Sequence, residues 1–338
     1  MDGKIIENFK KEKISVALCT YNGELFLKEQ LESIFKQTRL PDEIIVCDDC
    51  STDSTLEILS NFKKVSPVSF KIYVNEKNLG VSKNFEKAIS LCNGDIIFLS
   101  DQDDVWVSEK IEEIINIFND NPNCSYVFSD AYVVNKDLCY IGYKLWESIS
   151  FDKRQRESFK KGHQLEILLK HNVVTGATMA FRSHIREIIL PIPKMWTHDH
   201  WIAVIGSTLG GGGSFIEKPL IYYRQHDYNL IGAKKSSVFD RIRQVLFSNV
   251  FDYIFEIQRY KIFNNRVLKI TGKFNEDIND YISFLEKRKK IYESSNGFLS
   301  LIIIIQELFS GKYFKYRNGL ESIIKDIFII FKNLINNR

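Results

Sequence analysis

The feature that most constrains this chain is a regular alternation of short apolar runs and amphipathic segments over residues 13–104. The short runs are aliphatic and rich in β-branched residues, and they predict strands at 14–19, 43–47, 70–74 and 95–100. The segments between them carry apolar residues at helical spacing and predict helices at 25–35, 54–62 and 81–91. This alternation predicts the α/β class, with a mostly parallel, Rossmann-like sheet flanked by helices.

Polar residues follow three of these strands directly, as TYN at 20–22, DD at 48–49 and DQDD at 101–104. A fourth polar set lies at 78–84, where Gly80 would permit close backbone approach. Open α/β sheets bind ligands at the carboxyl ends of their strands. We therefore expect these segments to converge on one crevice that is rich in carboxylates.

The rest of the chain is less regular. Ser54 and Glu57 predict a capping box that opens the second helix. Further on, the apolar patterns predict a helix at 108–119, a strand at 125–135, helices at 165–169 and 201–209, and a strand at 215–223. The glycines at 210–213 lie between apolar segments, which favours a tight turn inside one domain over a flexible linker.

The acidic segment at 101–104 predicts a metal site. Asp101, Asp103 and Asp104 would repel one another unless a cation lay between them. Carboxylate oxygens suit Mg²⁺ or Mn²⁺, and Mg²⁺ commonly combines one or two protein carboxylates with substrate phosphates. The simpler alternative is a solvated acidic turn, or a helix start favoured by the helix dipole.

Acidic residues at 48–53 and 199 suggest further roles. A carboxylate in the first segment can accept hydrogen bonds from a base or ribose, and the alternative is a helix cap, a role that Ser54 already fills. Asp199, in WTHDHW (196–201), is a candidate general base, and the alternative is the N-cap of the following helix. In YRQH (223–226), Arg224 could neutralise phosphate charge and His226 could bind a metal.

The composition bounds the compartment and the partners. The net charge of +3, without a basic block, does not support nucleic-acid binding. Cys19, Cys47 and Cys92 lie in or beside apolar runs, so we expect buried, reduced thiols and a cytosolic protein. The polar N-terminus lacks the apolar region of a secretion signal, and no apolar stretch is long enough to span a bilayer.

Two apolar stretches stand out near the C-terminus, at 298–305 and 327–335. Basic residues lie in or near them: Lys312, Lys315, Arg317, Lys325 and Lys332. One interpretation is a pair of amphipathic helices on an anionic membrane surface. The other is a helical subdomain packed on the core.

Over residues 13–232 the chain resembles the family-2 glycosyltransferases. The resemblance is carried, in matching order and spacing, by CTYNG (19–23), DEIIVCDDCSTDST (42–55), NLGVSKNF (78–85), FLSDQDDVW (98–106), TGATMAF (175–181), WTHDHW (196–201) and YRQH (223–226). The combination of DQDDVW, HDHW and YRQH resembles the rhamnosyltransferase-like bacterial branch. Cys50 departs from the family, which more often has Gly, Asn or Ala there, and we expect an effect on packing only.

The resemblance implies the GT-A fold of the nucleotide-diphospho-sugar transferases over residues 1–232, with 13–104 binding the nucleotide and 105–232 the acceptor. Residues 233–338 would form a C-terminal helical region. The resemblance also implies roles for individual residues at the nucleotide: Thr20, Tyr21 and Asn22 would line its pocket, and Asp49 would contact the base or ribose, with Asp48, Asp53 and Asn84 nearby. Asp101 would contact the ribose or donor sugar, Asp103 and His226 would bind the cation, and Arg224 would contact the diphosphate. Asp199 would be the catalytic base.

The implied activity is an inverting sugar transfer that depends on Mg²⁺ or Mn²⁺. The first donor to consider is dTDP-rhamnose, followed by a UDP-hexose, and the acceptor would be a saccharide or lipid-linked saccharide of the bacterial surface. Such an enzyme would be cytoplasmic or peripheral on the inner face of the membrane, with a homo-oligomer as a further option.

Three other functions were weighed against this one. An Asp-dependent phosphohydrolase also carries DxD after an apolar strand, but its usual sequence beyond the second Asp is missing. A nicotinamide-dependent dehydrogenase would need GxGxxG where this chain has CTYNGE (19–24). A non-catalytic glycan-binding protein on the same fold stays open.

Overall fold

The computed structural model describes residues 12–226 and 250–336, and all structural statements below concern those residues. The strands are β1 (Ile14–Thr20), β2 (Glu43–Asp48), β3 (Ser69–Val74), β4 (Ile96–Ser100), β5 (Val105–Trp106), β6 (Tyr126–Val134), β7 (Tyr140–Lys144), β8 (Met179–Arg182) and β9 (Gly213–Arg224). The helices of the first range are α1 (Leu27–Phe35), α2 (Thr55–Val65), α3 (Val81–Leu91), α4 (Lys110–Asp120), α5 (Leu145–Ser148), α6 (Lys153–Lys160), α7 (Gln164–Lys170), α8 (Arg186–Ile189) and α9 (His198–Ser207). The second range holds α10 (Val250–Thr271), α11 (Glu276–Glu293), α12 (Gly297–Phe309), α13 (Lys312–Tyr316) and α14 (Leu320–Asn336).

The strands form one mixed sheet in the order β3-β2-β1-β4-β8-β6-β9-β5, with β7 paired to β6. Strands β3, β2, β1 and β4 are parallel, whereas β8 is antiparallel to both β4 and β6. The α/β prediction is confirmed. The register pairs Thr20 with Asp48 and Leu18 with Ser100, so β1, β2 and β4 end at the same edge.

The sheet separates two apolar layers. Val16 and Leu18 of β1 pack in the layer that holds α1, α2 and α4, while Ala17 and Cys19 pack in the layer that holds α3 and α9. Because both faces are covered, β1, β2 and β4 are buried along their whole length, which explains their uninterrupted apolar sequences. The prediction that Cys19, Cys47 and Cys92 are buried free thiols is confirmed.

The start of α2 differs from the predicted capping box. Ser54 precedes the helix with φ −74° and ψ 6°, and its side chain makes no capping hydrogen bond. An N-cap residue needs a more extended backbone to reach the helical N–H groups. Asp53 takes the role instead, because its Oδ1 accepts hydrogen bonds from the N–H of Thr55 at 3.0 Å and from its hydroxyl at 2.5 Å.

The turn predicted at 210–213 is present and is tight. A Cβ at Gly211 would lie 1.4 Å from the carbonyl oxygen of Asn123, so only glycine fits. The turn leads directly into β9, which pairs with β6 inside the sheet. Residues 105–224 therefore contribute to the same sheet as the first half of the chain.

The C-terminal helices pack on the sheet domain through aromatic residues. Tyr260 and Phe263 of α10 contact Trp196 at ring-centroid distances of 5.4 and 5.8 Å, and Phe263 also contacts Trp201 of α9. The predicted boundary between residues 232 and 233 lies outside the described residues. None of the helices in the described ranges is long and apolar enough to cross a membrane.

Three of the five basic residues near the C-terminus form ion pairs within the protein. Lys312 pairs with Asp280 at 2.5 Å and Lys315 with Asp277 at 2.9 Å, while Arg317 pairs with Glu256. These ion pairs form because α11 and α10 supply carboxylates directly opposite the basic side chains. The electrostatic part of the membrane interpretation therefore does not hold for these three residues.

Candidate active site

The loops after β1 and β4 are joined by the side chain of Gln102. Its Oε1 accepts a hydrogen bond from the N–H of Tyr21 at 2.8 Å, and its Nε2 donates to the carbonyl of Tyr21 at 2.9 Å. The ring of Tyr21 is exposed beside these two hydrogen bonds. Gln102 was missed as a site residue, although it lies inside the acidic segment that the sequence analysis singled out.

Thr20 and Asp48 are buried and bonded to each other. The Thr20 hydroxyl donates to Asp48 Oδ2 at 2.7 Å, and the N–H and hydroxyl of Ser51 donate to Asp48 at 2.8 and 2.6 Å. Both oxygens of Asp48 are therefore used in shaping the loop after β2. Neither side chain lies on the surface of the crevice.

Asp49 holds the 75–80 loop in place. Its Oδ1 accepts hydrogen bonds from Asn75 Nδ2 at 2.7 Å and from the N–H of Leu79 at 2.8 Å, and its Oδ2 accepts from the N–H of Gly80 at 2.8 Å. Asn84 is buried in the same network, where its Nδ2 donates to the carbonyl of Cys47 at 2.8 Å. The predicted fourth polar set thus packs against the second.

The rim of the crevice has two residues with left-handed backbones, Asn22 at φ 47° and Cys50 at φ 71°. Asn22 Oδ1 accepts a hydrogen bond from the N–H of Thr52 at 2.9 Å, which ties the loops after β1 and β2 together. Glycine and asparagine adopt this conformation most easily. Cys50 therefore matters for the backbone, and the expectation that it affects packing only is corrected.

Asp53 completes this rim. Burial raises the pKa of its carboxyl, but hydrogen bonds from Thr55 and from the N–H of Glu24 outweigh burial and lower it below its usual value. The carboxylate thus fastens α2 to the loop after β1.

Carboxyl groups from two distant segments of the chain interact at the end of β4. Burial, followed by repulsion from Asp103 and Asp199, raises the pKa of Asp101 to about 7. The 176–177 segment connects Asp199 of α9 with this end of the sheet, because the N–H of Gly176 donates to Asp199 and the carbonyl of Ala177 accepts a hydrogen bond from Lys110. Asp49 acts at the same edge of the sheet. Burial raises the pKa of the Cys19 thiol most, and Cys47, Asp101 and Asp49 raise it further.

Asp199 lies in the first turn of α9. The N-cap of this helix is Thr197, so the alternative that Asp199 is the N-cap is corrected. Its Oδ2 accepts a hydrogen bond from the N–H of Gly176 at 3.2 Å, and its Oδ1 accepts one from the N–H of His200 at 2.6 Å. The tight segment predicted at 175–177 thus supports this carboxylate.

His226 is 2.9 Å from Asp103, measured from its Nε2 to Oδ2. Its ring also packs on Phe26 at a centroid distance of 4.8 Å. One carboxylate and one imidazole form a reasonable donor pair for a divalent cation. Across residues 12–226 and 250–336, no group of three or more His, Cys, Asp or Glu side chains is arranged to hold a metal ion.

A buried lysine lies beside these carboxyl groups. Lys110 lies 3.6 Å above the ring centroid of Trp106, and its Nζ donates to the carbonyl of Ala177 at 2.7 Å. Burial lowers its pKa well below the usual value, while Asp104 and Asp101 act in the opposite direction. Lys110 was missed, although it occupies the apolar stripe of α4 together with 114 and 118, an unusual place for a lysine.

Asp104 is buried beside this lysine. Burial, followed by repulsion from Asp103 and Asp101, raises the pKa of Asp104 well above its usual value. Its Oδ1 accepts a hydrogen bond from the N–H of Arg224 at 3.0 Å, and its Oδ2 has no hydrogen-bond partner within the described residues. Burial and the carboxyls of Asp103 and Asp101 thus all favour the protonated form of Asp104.

Arg224 is bonded within the protein, and its role at a diphosphate stays a prediction. Its guanidinium is buried, stacks 4.5 Å from the ring centroid of Phe26, and donates to the Glu29 carboxylate. Its Nε donates to the carbonyl of Asp103 at 2.7 Å, and Nη1 donates to that of Lys136. The guanidinium is enclosed by these acceptors, so the geometry favours holding the acidic loop rather than meeting a phosphate.

The family is decided by a sequence comparison. The model of the family described as Glycosyl transferase family 2 matches residues 15–189, which is more than half of the chain. The chain belongs to glycosyl transferase family 2. The match covers β1 to β4 with their loops, Gln102, the acidic loop and the segment at 175–177.

Two bacterial relatives of this glycosyltransferase are named as sugar transferases. It is 30% identical over 225 residues to the dTDP-rhamnosyl transferase RfbG of Shigella flexneri, covering 65% of this chain and 75% of RfbG. It is 27% identical over 140 residues to the UDP-Glc:alpha-D-GlcNAc-diphosphoundecaprenol beta-1,3-glucosyltransferase WfgD of Escherichia coli, covering 41% of this chain and 54% of WfgD.

A solved structure shares the fold. TarS 1-349 from S. aureus, in complex with UDP-GlcNAc, superposes with a TM-score of 0.52 at 17% identity, covering 96% of this glycosyltransferase and 91% of that chain. Together with the family match, this similarity supports the GT-A fold for the described residues.

The predicted site residues of this glycosyltransferase fall into three groups. The first group consists of the carboxyl and imidazole groups that interact at the end of β4: Asp101, Asp103, Asp199 and His226. The second group is bonded within the scaffold: Thr20, Asp48, Asp49, Asp53, Asn84 and Arg224. Tyr21 and Asn22 are exposed on the rim. Their contacts with a nucleotide stay predictions.

Proposed function

We propose that this glycosyltransferase is a metal-dependent, inverting enzyme that transfers a sugar from a nucleoside diphosphate to a saccharide. The observation that carries the proposal is the contact of 2.9 Å between His226 Nε2 and Asp103 Oδ2, two residues after Asp101 at the end of β4. A carboxylate and an imidazole placed together at a strand end can hold a divalent cation and the diphosphate bound to it. We propose residues 13–104 for the nucleotide, 105–232 for the acceptor and 233–338 as the C-terminal helical region.

Asp199 is the proposed base. Its carboxylate accepts hydrogen bonds from the N–H groups of Gly176 and His200, which leaves further lone pairs to accept the proton of an acceptor hydroxyl. The hydroxyl oxygen attacks the anomeric carbon from the face opposite the diphosphate, and one displacement inverts its configuration. A second carboxylate nucleophile is not needed.

Asp103 and His226 would hold the cation, which we propose is Mg²⁺ or Mn²⁺. Their donor atoms already lie 2.9 Å apart, and Arg224 holds the carbonyl of Asp103 from the opposite side. A bound divalent cation supplies charge stabilisation for a departing diphosphate. Asp101, two residues before Asp103, would accept a hydrogen bond from a hydroxyl group of the ribose or the donor sugar.

The proposed donor is dTDP-rhamnose, with a UDP-hexose as the second choice. The first choice is supported by RfbG, named a dTDP-rhamnosyl transferase, and the second by WfgD, named for transfer from UDP-Glc. The name of WfgD also includes a diphosphoundecaprenol-linked acceptor, which supports a lipid-linked saccharide acceptor in surface polysaccharide synthesis.

We also propose contact between the C-terminal helices and a lipid surface, because α12 and α14 bury charged side chains and expose large apolar ones. The only charged residue of α12, Glu307, is buried and paired with Lys287 and Lys312. Asp326 of α14 is buried and accepts two hydrogen bonds from Arg288, each of 2.7 Å. The charge of α12 and one carboxylate of α14 are therefore paired inside the protein, whereas Glu321 and Lys332 of α14 are exposed.

The outward residues of the same two helices are large and apolar: Phe298, Leu301, Ile305 and Phe309 on α12, and Leu320, Ile324, Phe331 and Ile335 on α14. A protein partner normally meets a polar rim and about one hydrogen bond per 100–200 Å². The outward side of α12 offers no charged group, which suits acyl chains better. Binding should then depend little on anionic lipid or salt.

Flotation with neutral phosphatidylcholine vesicles tests this contact. The double change Phe309→Glu and Phe331→Glu should release the protein from the vesicles. Val65→Glu, an equally polar change on α2 at the other face of the sheet, should leave it bound. Binding only to anionic vesicles, or a dimer that the double change dissociates without any vesicle binding, would refute the lipid contact.

The central experiment is a donor screen with and without Mn²⁺ that measures nucleoside diphosphate release. We expect metal-dependent release from a nucleotide sugar and loss of transfer in Asp199→Asn, with donor binding nearly intact. Turnover of a simple phosphate ester instead would favour a phosphohydrolase. Glycan binding without any turnover would favour a non-catalytic protein on this fold.

A further inference from the structure

The imidazole next to Asp199, that of His200, is held by two different helices. His200 is buried, and its Nε2 lies 2.9 Å from the carbonyl oxygen of Leu168 in α7. Its Nδ1 lies 2.6 Å from Nη2 of Arg259 in α10. A carbonyl can only accept and a guanidinium can only donate, so Nε2 carries the hydrogen and Nδ1 accepts. Both contacts therefore fix one tautomer and one ring orientation.

The same contacts keep this imidazole neutral. Burial, followed by repulsion from the Arg259 guanidinium, lowers the pKa of His200 to about 3. The ring is therefore uncharged wherever a glycosyltransferase would work, and it does not serve as an acid or a base itself. The ring instead contributes by holding its neighbours in one orientation.

Arg259 is fixed to the first turn of α9 by a second contact. Its guanidinium lies 3.9 Å above the ring centroid of Trp196, and Trp196 Nε1 donates to its backbone carbonyl at 3.3 Å. Arg259 of the C-terminal helical region thus contacts both Trp196, which lies just before the helix, and His200, which lies within its first turn. Asp199 lies between them.

We propose that Arg259 is a positioning residue for Asp199, so that the C-terminal helical region takes part in catalysis by orienting the base. This inference rests on the proposed function. The N–H of His200 donates to Asp199 Oδ1, so rotation of the His200 ring and backbone would turn the carboxylate away from an acceptor hydroxyl. A displacement of about 1 Å at a reacting group can cost about 100-fold in rate.

Arg259→Met tests the proposal, because methionine keeps apolar packing on Trp196 and removes the donor. We expect kcat to fall about 10- to 100-fold while the donor KM changes less than about threefold. Arg259→Lys, which keeps a charged donor, should recover a large part of kcat.

Arg266→Met is the matched control. Arg266 lies seven residues further along α10 and donates to the carbonyls of Ile188 and Leu190, so it also fastens α10 to the sheet domain but does not contact His200. We expect this variant to lose thermal stability and to keep kcat within about twofold of the wild type. Equal losses of kcat in Arg259→Met and Arg266→Met, or no loss in Arg259→Met, would overturn the proposal.

Hydrogen exchange of the intact protein provides a readout that does not need activity. The amides of residues 197–200 should exchange faster in Arg259→Met and at the wild-type rate in Arg266→Met, because Arg266 contacts the ring of Trp201 but not His200. Unchanged exchange in Arg259→Met would overturn the positioning role. If the wild type releases no nucleoside diphosphate from any donor, the proposed function fails, while unequal exchange in the two variants still supports the coupling of α10 to this turn.

Discussion

Replacing Gly176 with alanine should disturb both stability and the orientation of Asp199. A Cβ at Gly176 would lie 2.5 Å from His198 Nε2. The His198 ring has little room to retreat, because it is buried and stacks on Phe85 at a centroid distance of 4.0 Å. The N–H of Gly176 also donates to Asp199 Oδ2 at 3.2 Å, so a shift of either backbone moves the proposed base.

The size of the effect follows from the overlap. An ordinary contact of a Cβ lies near 3.4–4 Å, so the His198 ring and the 175–177 segment must separate by about 1 Å. Overpacking a rigid site by one methyl group costs about 1–3 kcal/mol. A displacement of this size should lower the transfer rate about 10- to 100-fold in Gly176→Ala.

Urea unfolding and donor turnover measure the two effects. Gly210→Ala is the matched control, because a Cβ there would have no heavy atom within 4 Å. This control should change the free energy of unfolding by less than about 1 kcal/mol and leave turnover intact. A Gly176→Ala variant with the wild-type unfolding midpoint and rate would refute the close packing of this segment around Asp199.

Three further predictions concern the loops of the site. Cys50→Gly should raise the free energy of unfolding by up to about 1 kcal/mol in urea titrations, because φ is 71° at this position; a lower stability would contradict this. The pKa of about 7 for Asp101 lies above its unfolded value, so the stability due to its bound proton is greatest below about pH 4 and is lost as pH rises towards and through 7. Asp101→Asn should flatten this decline in metal-free thermal scans, and an unchanged pH profile would speak against it. Arg224→Met should cost about 2–4 kcal/mol in urea unfolding, because the Glu29 carboxylate and two carbonyls lose their donor; a loss under about 0.5 kcal/mol would exclude the bracing role.

The strands of the first half could be predicted from sequence because both faces of the sheet are covered. Strand β2, EIIVCD, is buried at every position, so its composition alone marks it as a central strand. The acidic residues after β2 and β4 then indicated the edge where a ligand would bind. What local patterns did not show was the antiparallel β8, which joins the sheet beside β4 after more than 70 intervening residues.

The chemistry of individual side chains depended on contacts that sequence spacing does not reveal. Arg224 was expected at a phosphate, yet Glu29 and Lys136, 195 and 88 residues away, enclose its guanidinium. Lys110 and Arg259 were not singled out, because their roles arise from burial against Trp106 and Trp196. Long-range packing therefore decided which charged residues face the crevice and which ones support it.

The central claim is that Asp103 and its neighbours bind a cation together with a nucleoside diphosphate. Calorimetric titration of the wild type with dTDP and UDP, in Mn²⁺ or in EDTA, tests it most directly. The account predicts binding of at least one of them that is about tenfold or more tighter in Mn²⁺, and loss of this difference in Asp103→Asn. Equal affinity in Mn²⁺ and EDTA, or an Asp103→Asn variant that keeps the full metal effect, would contradict it.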